Sequence, residues 1–259
     1  MTLTYNLGRI CVMNDIILEN LEALEFFSTL EDNSIDLILT DPPYEISRPT
    51  GFLASKGART IERFKMSYEF GEWDKQQMNL LPFVQEMYRV LKPHGTCIIF
   101  YDLWKITTLS KMLEVSQFKQ LRFLEWLKTN PVPINSKRNY LTNSREIAIS
   151  AVKKSKPTFN SEYDNGIYKY PIYHGSDRFH TAQKSVKLFD DLIRKHSNEG
   201  EVVLDCFAGS STTAISCINT NRSFIGCEVD KDYYVKSLDR IENAINNKKK
   251  MDKINAING

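Results

Sequence analysis

Asp41-Pro42-Pro43-Tyr44 follows directly on the apolar run Ile35-Asp36-Leu37-Ile38-Leu39-Thr40. An acid, two prolines and an aromatic ring therefore stand at the end of a buried strand. Each proline fixes its own φ at about −65° and the second restrains the first, so the Asp41 carboxylate and the Pro42 carbonyl become two acceptors at a fixed separation. An exocyclic amine brings two N–H donors to such a pair. With both engaged, the nitrogen lone pair turns out of conjugation with its ring and faces an electrophile, while Tyr44 stacks on the planar base. The plainer alternative is a Pro-Pro strand end with Tyr44 in the core. An acid placed straight after the strand argues against it.

A second segment, Val202-Val203-Leu204-Asp205-Cys206-Phe207-Ala208-Gly209-Ser210-Ser211-Thr212-Thr213, reads as strand, small-residue loop and helix start. Free N–H groups and small side chains there admit a charged or nucleotide-like ligand. Phe224-Ile225-Gly226-Cys227 ends in Glu228, 23 positions beyond Asp205. That matches the acid about 20 positions on that holds ribose hydroxyls in such units. The loop is neither GxGxxG nor GxxxxGK[ST], which disfavours a dinucleotide and an ATP-hydrolysing P-loop. A Ser/Thr N-cap beside a solvated Glu is the alternative without a ligand.

Positioning these groups requires strands that end at one edge. Continuous apolar runs at Ile35 to Leu39, Thr96 to Tyr101, Glu146 to Val152, Val202 to Leu204 and Ser223 to Cys227 predict buried parallel strands. Helix-period stretches separate them: Glu19 to Thr29, Leu80 to Leu91, Trp104 to Val115, Val186 to His196, Thr212 to Thr220 and Asp232 to Asn246. Lys92-Pro93-His94-Gly95 reads as the turn between a helix and the next strand. The alternation predicts an α/β fold with a Rossmann-like, doubly wound, mostly parallel sheet. Segments 46–79 and 129–180 resist this reading, and loops of such length are usually functional.

With 259 residues, 42% hydrophobic and 25% charged, the chain is expected to bury a sizeable core, which excludes disordered and low-complexity classes. The five cysteines (11, 97, 206, 217 and 227) form no CxxC and face no His at metal-ligand spacing, so neither a disulfide framework nor a metal site is expected. A reducing cytosol fits this usage. No run approaches a membrane span and the start lacks a signal-peptide layout, so a cytoplasmic location is expected. Charge is uneven along the chain. Residues 1–45 carry nine acids against one base, whereas residues 137–195 carry twelve bases against six acids and residues 46–70 five against two. One basic face toward a polyanion is the reading this suggests, with a purely local imbalance as the alternative.

Asp-Pro-Pro-Tyr at 41–44 together with Asp-Cys-Phe-x-Gly-Ser-x-Thr-Thr at 205–213 resembles the DNA amino-methyltransferases that use S-adenosylmethionine. The catalytic motif comes early and the cofactor loop late, which resembles the circularly permuted β group of that family. His180-Thr181-Ala182-Gln183-Lys184-Ser185 resembles the family's His-Pro-Thr-Gln-Lys-Pro segment. Phe70-Gly71-Glu72-Trp73-Asp74 and Trp126-Leu127-Lys128-Thr129-Asn130-Pro131-Val132-Pro133 resemble segments of its N6-adenine members. Related RNA and protein-glutamine enzymes place the cofactor loop first, so the order argues against them. Ser211 departs from the pattern, standing where the family usually has a second loop glycine.

The resemblance implies one methyltransferase domain over 1–259: a catalytic half at 1–136, a target-recognition region at 137–180 and a cofactor half at 181–259. It implies methyl transfer to N6 of a flipped adenine in double-stranded DNA, catalysed by Asp41, Pro42, Pro43 and Tyr44. S-adenosylmethionine would be held by Asp15, Asp41, Gln183, Lys184, Asp205, Phe207, Gly209, Ser210, Ser211, Thr212 and Glu228. For Asp15, a helix N-cap is the alternative. DNA contacts are expected from Lys137, Arg138, Arg145 and Arg178, interleaved with Tyr163, Tyr168, Tyr170 and Tyr173, and from Arg48 and Arg59. A cognate restriction endonuclease and a homodimer are the partners expected. N4-cytosine methylation is the rival within the class, although its members commonly carry Ser at position 41. A catalytically silent DNA-binding regulator of the same fold is the rival outside it.

Overall fold

Leu37, Ile38 and Leu39 are all fully buried although successive side chains of a strand point to opposite faces, so this strand must be covered on both sides. In the computed structural model of the chain, the residues described are 11–13, 15–43, 79–132, 141–175, 178–179 and 183–258. Among them, nine strands form one sheet: β1 (Cys11–Met13), β2 (Ile16–Glu19), β3 (Ile35–Thr40), β4 (Leu91–Tyr101), β5 (Lys119–Lys128), β6 (Arg145–Val152), β7 (Ile167–Tyr170), β8 (Val202–Asp205) and β9 (Ser223–Cys227). Their spatial order is β1-β2-β9-β8-β3-β4-β6-β5-β7. The block β2-β9-β8-β3-β4 is parallel throughout. β6 runs antiparallel to both β4 and β5, β7 runs parallel to β5, and β1 folds back on β2 as an antiparallel edge. The α/β reading holds, with an antiparallel flank added to the parallel block.

Among the described residues, six helices cover the sheet: α1 (Ala23–Ser28), α2 (Leu81–Val90), α3 (Ile106–Val115), α4 (Val186–His196), α5 (Thr212–Thr220) and α6 (Lys231–Asn258). Alternation along β3 divides the core in two. Leu37 and Leu39 join Leu188 and Phe189 of α4, Ala214 and Ile218 of α5, and Ile241 of α6. Ile38 joins Phe26 and Phe27 of α1, Val84 and Met87 of α2, and Leu109 and Leu113 of α3 on the other face. In α4 the buried residues Leu188, Phe189, Leu192 and Ile193 recur one turn apart and make a single apolar stripe. Arg194 and Lys195 stand in its last turn, where positive charge complements the helix dipole.

Several boundaries differ from the sequence reading. The stretch Glu19 to Thr29 divides into the end of β2 and a short α1, which Glu22 caps by accepting from the Leu24 and Glu25 N–H groups. Lys92 to Gly95 is a bulge inside β4 rather than a turn: the pairing with β3 jumps from Ile35–Leu91 to Leu37–Thr96, and His94 takes a φ of 75°. α6 runs on to Asn258, so Lys248, Lys249 and Lys250 lie on a helix. β6 and β7 belong to the stretch 137–180 and continue the same sheet. Tyr168 and Tyr170, expected among the DNA-facing rings, instead donate to Asp164 Oδ2 at 3.2 Å and Asp191 Oδ2 at 3.0 Å. Tyr168 lies buried in the core. Cys97, Cys206, Cys217 and Cys227 are free and buried, and burial pushes their thiols up. None of the described helices is long and apolar enough to cross a membrane.

His196, at the end of α4, is buried against the Phe159 ring, 5.1 Å away, and neither of its ring nitrogens has a partner among the described residues. Burial lowers its pKa to about 4, with Lys195 adding to the shift and Asp164 and Asp191 opposing it. The unfolded chain takes up this proton near 6.5 and the folded chain only near 4. The stability tied to a neutral His196 is thus complete above pH 6.5 and is lost as pH falls toward 4. His196→Leu is expected to reduce the loss of stability between pH 7 and pH 4.5 by about 2 kcal/mol. Urea titrations of both proteins at the two pH values measure this; parallel losses would contradict it.

Candidate active site at the carboxyl edge of the sheet

β3 and β8 are adjacent and parallel, with Ile38 beside Leu204. Asp41 and Asp205 consequently emerge at the same edge. Asp205 ties the two segments together. Its Oδ1 accepts from Thr40 Oγ1 at 2.7 Å and from the Phe207 N–H at 3.1 Å, while Oδ2 accepts from Thr213 Oγ1 at 2.6 Å. Burial raises its pKa against the pull of these donors. Asp205 is thus turned inward, where it shapes the loop.

The loop after β8 bends through two left-handed residues, Gly209 at φ 51° and Ser211 at φ 57°. Ser211 then starts α5, its carbonyl accepting from the Ile215 N–H at 3.1 Å. α6 braces the turn from outside: Ser237 Oγ donates to the Gly209 carbonyl at 2.9 Å and Arg240 Nη1 to the Ser210 carbonyl at 2.5 Å. Ser210 Oγ and Thr212 Oγ1 lie 3.3 Å apart within the turn, and Phe207 packs 5.4 Å from Phe83. A left-handed residue with a Cβ is strained, so glycine would suit position 211 better than serine. Ser211 is also buried with its hydroxyl unpartnered among the described residues. Ser211→Gly is expected to stabilise the fold by about 1 kcal/mol, relief of strain and of the orphaned hydroxyl outweighing the added chain entropy. Thermal denaturation tests this, and a lower midpoint would refute it.

Glu228, just past β9, closes the loop. Its Oε2 accepts from the Gly209 N–H at 2.7 Å and its Oε1 from the Asp230 N–H at 2.8 Å. Burial raises its pKa. Close approach of β8 and β9 depends on Gly226, where a Cβ would meet the Asp205 carbonyl at 2.5 Å. The structure does not bring Asp15 here. Its carbonyl accepts from the Phe224 N–H at 2.9 Å at the start of β9, and Asp15 makes the left-handed turn between β1 and β2 at the opposite edge. It is not a helix cap either. Asn20, at the far end of β2, stands beside Glu228 instead, donating to its carbonyl at 2.7 Å and to that of Val229 at 3.1 Å. The signal for it was present in Ile16-Ile17-Leu18-Glu19-Asn20, a short strand ending in polar residues.

Asp41 is largely buried. Its Oδ2 lies 2.6 Å from Lys184 Nζ, and its Oδ1 has no hydrogen-bond partner among the described residues. Lys184 Nζ also lies 2.7 Å from Glu146 Oε2, whose other oxygen is 2.7 Å from Lys128 Nζ. Burial pushes the Asp41 carboxyl up to about 6, Lys184 opposing and Glu146 adding to the rise. Burial would also raise Glu146, but Lys184 and Lys128 outweigh it and hold that carboxyl down at about 2. Glu146 and Lys128 escaped the sequence reading because they belong to the antiparallel flank. Gln183, beside Lys184, is buried with both amide atoms unpartnered among the described residues. Pro42 and Pro43 follow Asp41 at the rim. Tyr44, Arg48, Arg59, Lys137, Arg138 and His180 lie outside the described residues.

Two of the expected DNA contacts reach this edge. Arg145 begins β6, which runs opposite to β4, so it emerges beside Glu146; it is exposed and 3.3 Å from Glu125 Oε1. Arg178 is exposed, and the neighbouring Phe179 packs 6.4 Å from Tyr233 in the first turn of α6. Tyr163 is fully exposed, and Tyr173 faces the Arg240 guanidinium at 5.8 Å. No cluster of His, Cys, Asp and Glu among the described residues could hold a metal ion.

Three polar groups without a partner among the described residues, Asp41 Oδ1, Ser211 Oγ and the Gln183 amide, thus accompany the glycine turn and Glu228. Such a set suits a ligand with a nucleoside at one end and a charged amino-acid part at the other. A DNA methylase family pattern matches residues 35–238. The chain is 30% identical over 251 residues to Type II methyltransferase M2.DpnII of Streptococcus pneumoniae, covering 88% of this chain and 90% of that protein. The solved M1.HpyAVI–SAM complex is similar with a TM-score of 0.65 and 28% identity, over 86% of this chain and 98% of its own. The PvuII DNA methyltransferase, described as cytosine-N4-specific, shares the fold with a TM-score of 0.66 at 17% identity, over 90% and 92%. The chain belongs to the DNA methylase family. It is a DNA methyltransferase, and its cofactor is S-adenosylmethionine.

Proposed function

We propose that the chain methylates the N6 amine of an adenine flipped out of double-stranded DNA at one specific sequence. The observation that carries this is Asp41, one oxygen held by Lys184 and the other directed to no group of the described protein. The bound cofactor supplies an electrophilic methyl group on a sulfonium. Asp41 Oδ1 and the Pro42 carbonyl would each accept one hydrogen bond from the amine, aligning the lone pair, and Tyr44 would stack on the base. As positive charge grows on nitrogen, the ionised Asp41 stabilises it, so alignment and electrostatics supply most of the acceleration. Gly209, Ser210, Ser211 and Thr212 would line the cofactor, Phe207 would flank it, and Glu228 would hold the ribose hydroxyls through its remaining lone pairs. Gln183 would satisfy its amide on the same ligand.

Lys137, Arg138, Arg145, Arg178, Arg48 and Arg59 would hold phosphates or read base edges. We further propose a cytoplasmic enzyme paired with a restriction endonuclease of the same specificity, and a homodimer. Asp rather than Ser at position 41 favours adenine over cytosine. Expression in a bacterium lacking its own DNA methylation, followed by modification-sensitive sequencing of its genome, tests the reading. N6-methyladenine confined to one short sequence is expected. N4-methylcytosine would replace the base, and an unmodified genome would contradict the proposal.

A further inference from the structure

Three charged side chains outside the Asp-Pro-Pro motif line up behind Asp41: Lys184 from the segment before α4, Glu146 from β6 and Lys128 from β5. The order is carboxylate, ammonium, carboxylate, ammonium, each contact 2.6–2.7 Å. None of the four side chains is more than 22% exposed. Desolvating four charges is a poor way to join strands, because apolar residues of equal volume would do so at lower cost. What the charges add is direction. A lysine ammonium sits on a four-carbon stem and has no preferred site on a carboxylate. Lys184 is fixed from behind by Glu146 and lies over the Phe100 ring at 5.4 Å, so it meets Oδ2 of Asp41 and leaves Oδ1 clear.

We propose that Glu146 is a positioning residue for methyl transfer: by holding Lys184 against one oxygen of Asp41, it presents the other as the carboxylate acceptor for the amine. The proposal rests on Asp41 being that acceptor. Lys128 holds Glu146 from the far side. The groups facing Asp41 among the described residues are Lys184, Glu146 behind it and Asp205 from β8. Beyond the effect of burial, Lys184 lowers the Asp41 pKa and the two carboxylates raise it.

The two partners therefore move the acid limb of the pH–rate profile in opposite directions. Glu146→Gln keeps the shape and removes a negative neighbour. It is expected to lower kcat on the order of 10²-fold through misplacement, shift the acid limb to lower pH and leave the Kd for S-adenosylmethionine within about threefold. Lys184→Met is expected to shift the limb to higher pH. A purely structural role would lower activity without moving the limb either way. A folded Glu146→Gln protein with wild-type kcat and an unmoved limb overturns the proposal. Should that variant not fold, Glu146→Asp decides: it keeps the charge but withdraws it by one methylene, so reduced kcat with the Kd for S-adenosylmethionine and the melting temperature both at their wild-type values supports positioning, and wild-type kcat refutes it. Full activity in Asp41→Asn would instead remove the assignment of Asp41 itself, a separate failure.

Discussion

Replacing Asp41 by alanine is expected to slow methyl transfer by about 10³-fold or more while S-adenosylmethionine still binds with nearly its original Kd. The size follows from removing a preorganised charge at the atom where charge develops, an effect worth 10²-fold to 10³-fold for about one such group elsewhere. Lost alignment of the amine adds to it. Binding survives because the loop that receives the cofactor is held by Asp205 on Thr40 and Thr213, by Glu228 on the Gly209 N–H, and by Ser237 and Arg240 on the Gly209 and Ser210 carbonyls. Single-turnover rates with saturating cofactor, alongside calorimetric titration, separate the two terms. Methylation at the original rate would remove Asp41 from the reaction. Loss of binding in step with rate would make its role structural.

The second large effect belongs to Asp205. Its carboxylate is the meeting point of the Thr40 hydroxyl, the Thr213 hydroxyl and the Phe207 N–H, all inside the protein. Asp205→Ala leaves these three donors facing an empty space. Hydrogen bonds to a charged acceptor contribute about 1.5–3 kcal/mol each and are not additive, so a loss of about 3–5 kcal/mol is expected. Asp205→Asn retains one acceptor in the same shape and is expected to cost less, the more so because burial already disfavours the ionised form. Urea denaturation of the two variants checks the order. Equal stability of the alanine variant and the parent would mean that the two loops are not held through this side chain.

How far the sequence could be read depended on how much each element buries. α4 and α5 are legible to the residue, since their apolar positions recur at helical spacing after a Ser at the N-cap position or a small-residue loop. β3, β8 and β9 showed as unbroken apolar runs because they are the centre of a parallel block. β5 did not: half of it faces outward, with Phe123 61% exposed, so its pattern gives no continuous run. β2 has four residues and merged with the helical period of α1. Asp15 enters through the family resemblance alone, and with β2 merged into a helical period nothing in the pattern sets Asn20 at the far end of the same short strand. The pairing of β6 between β4 and β5 explains the other omission. Lys128, Glu146 and Lys184 come from three distant segments, and only the antiparallel register brings them together behind Asp41.

Incubating the purified protein with unmethylated bacterial DNA and S-adenosylmethionine carrying an isotope-labelled methyl group, then resolving the nucleosides by mass spectrometry, tests the central claim most directly. The account predicts label on N6-methyladenine, present with the wild-type chain and absent with Asp41→Ala. Label on another base, or no label on DNA from a protein shown separately to bind the cofactor, would contradict it.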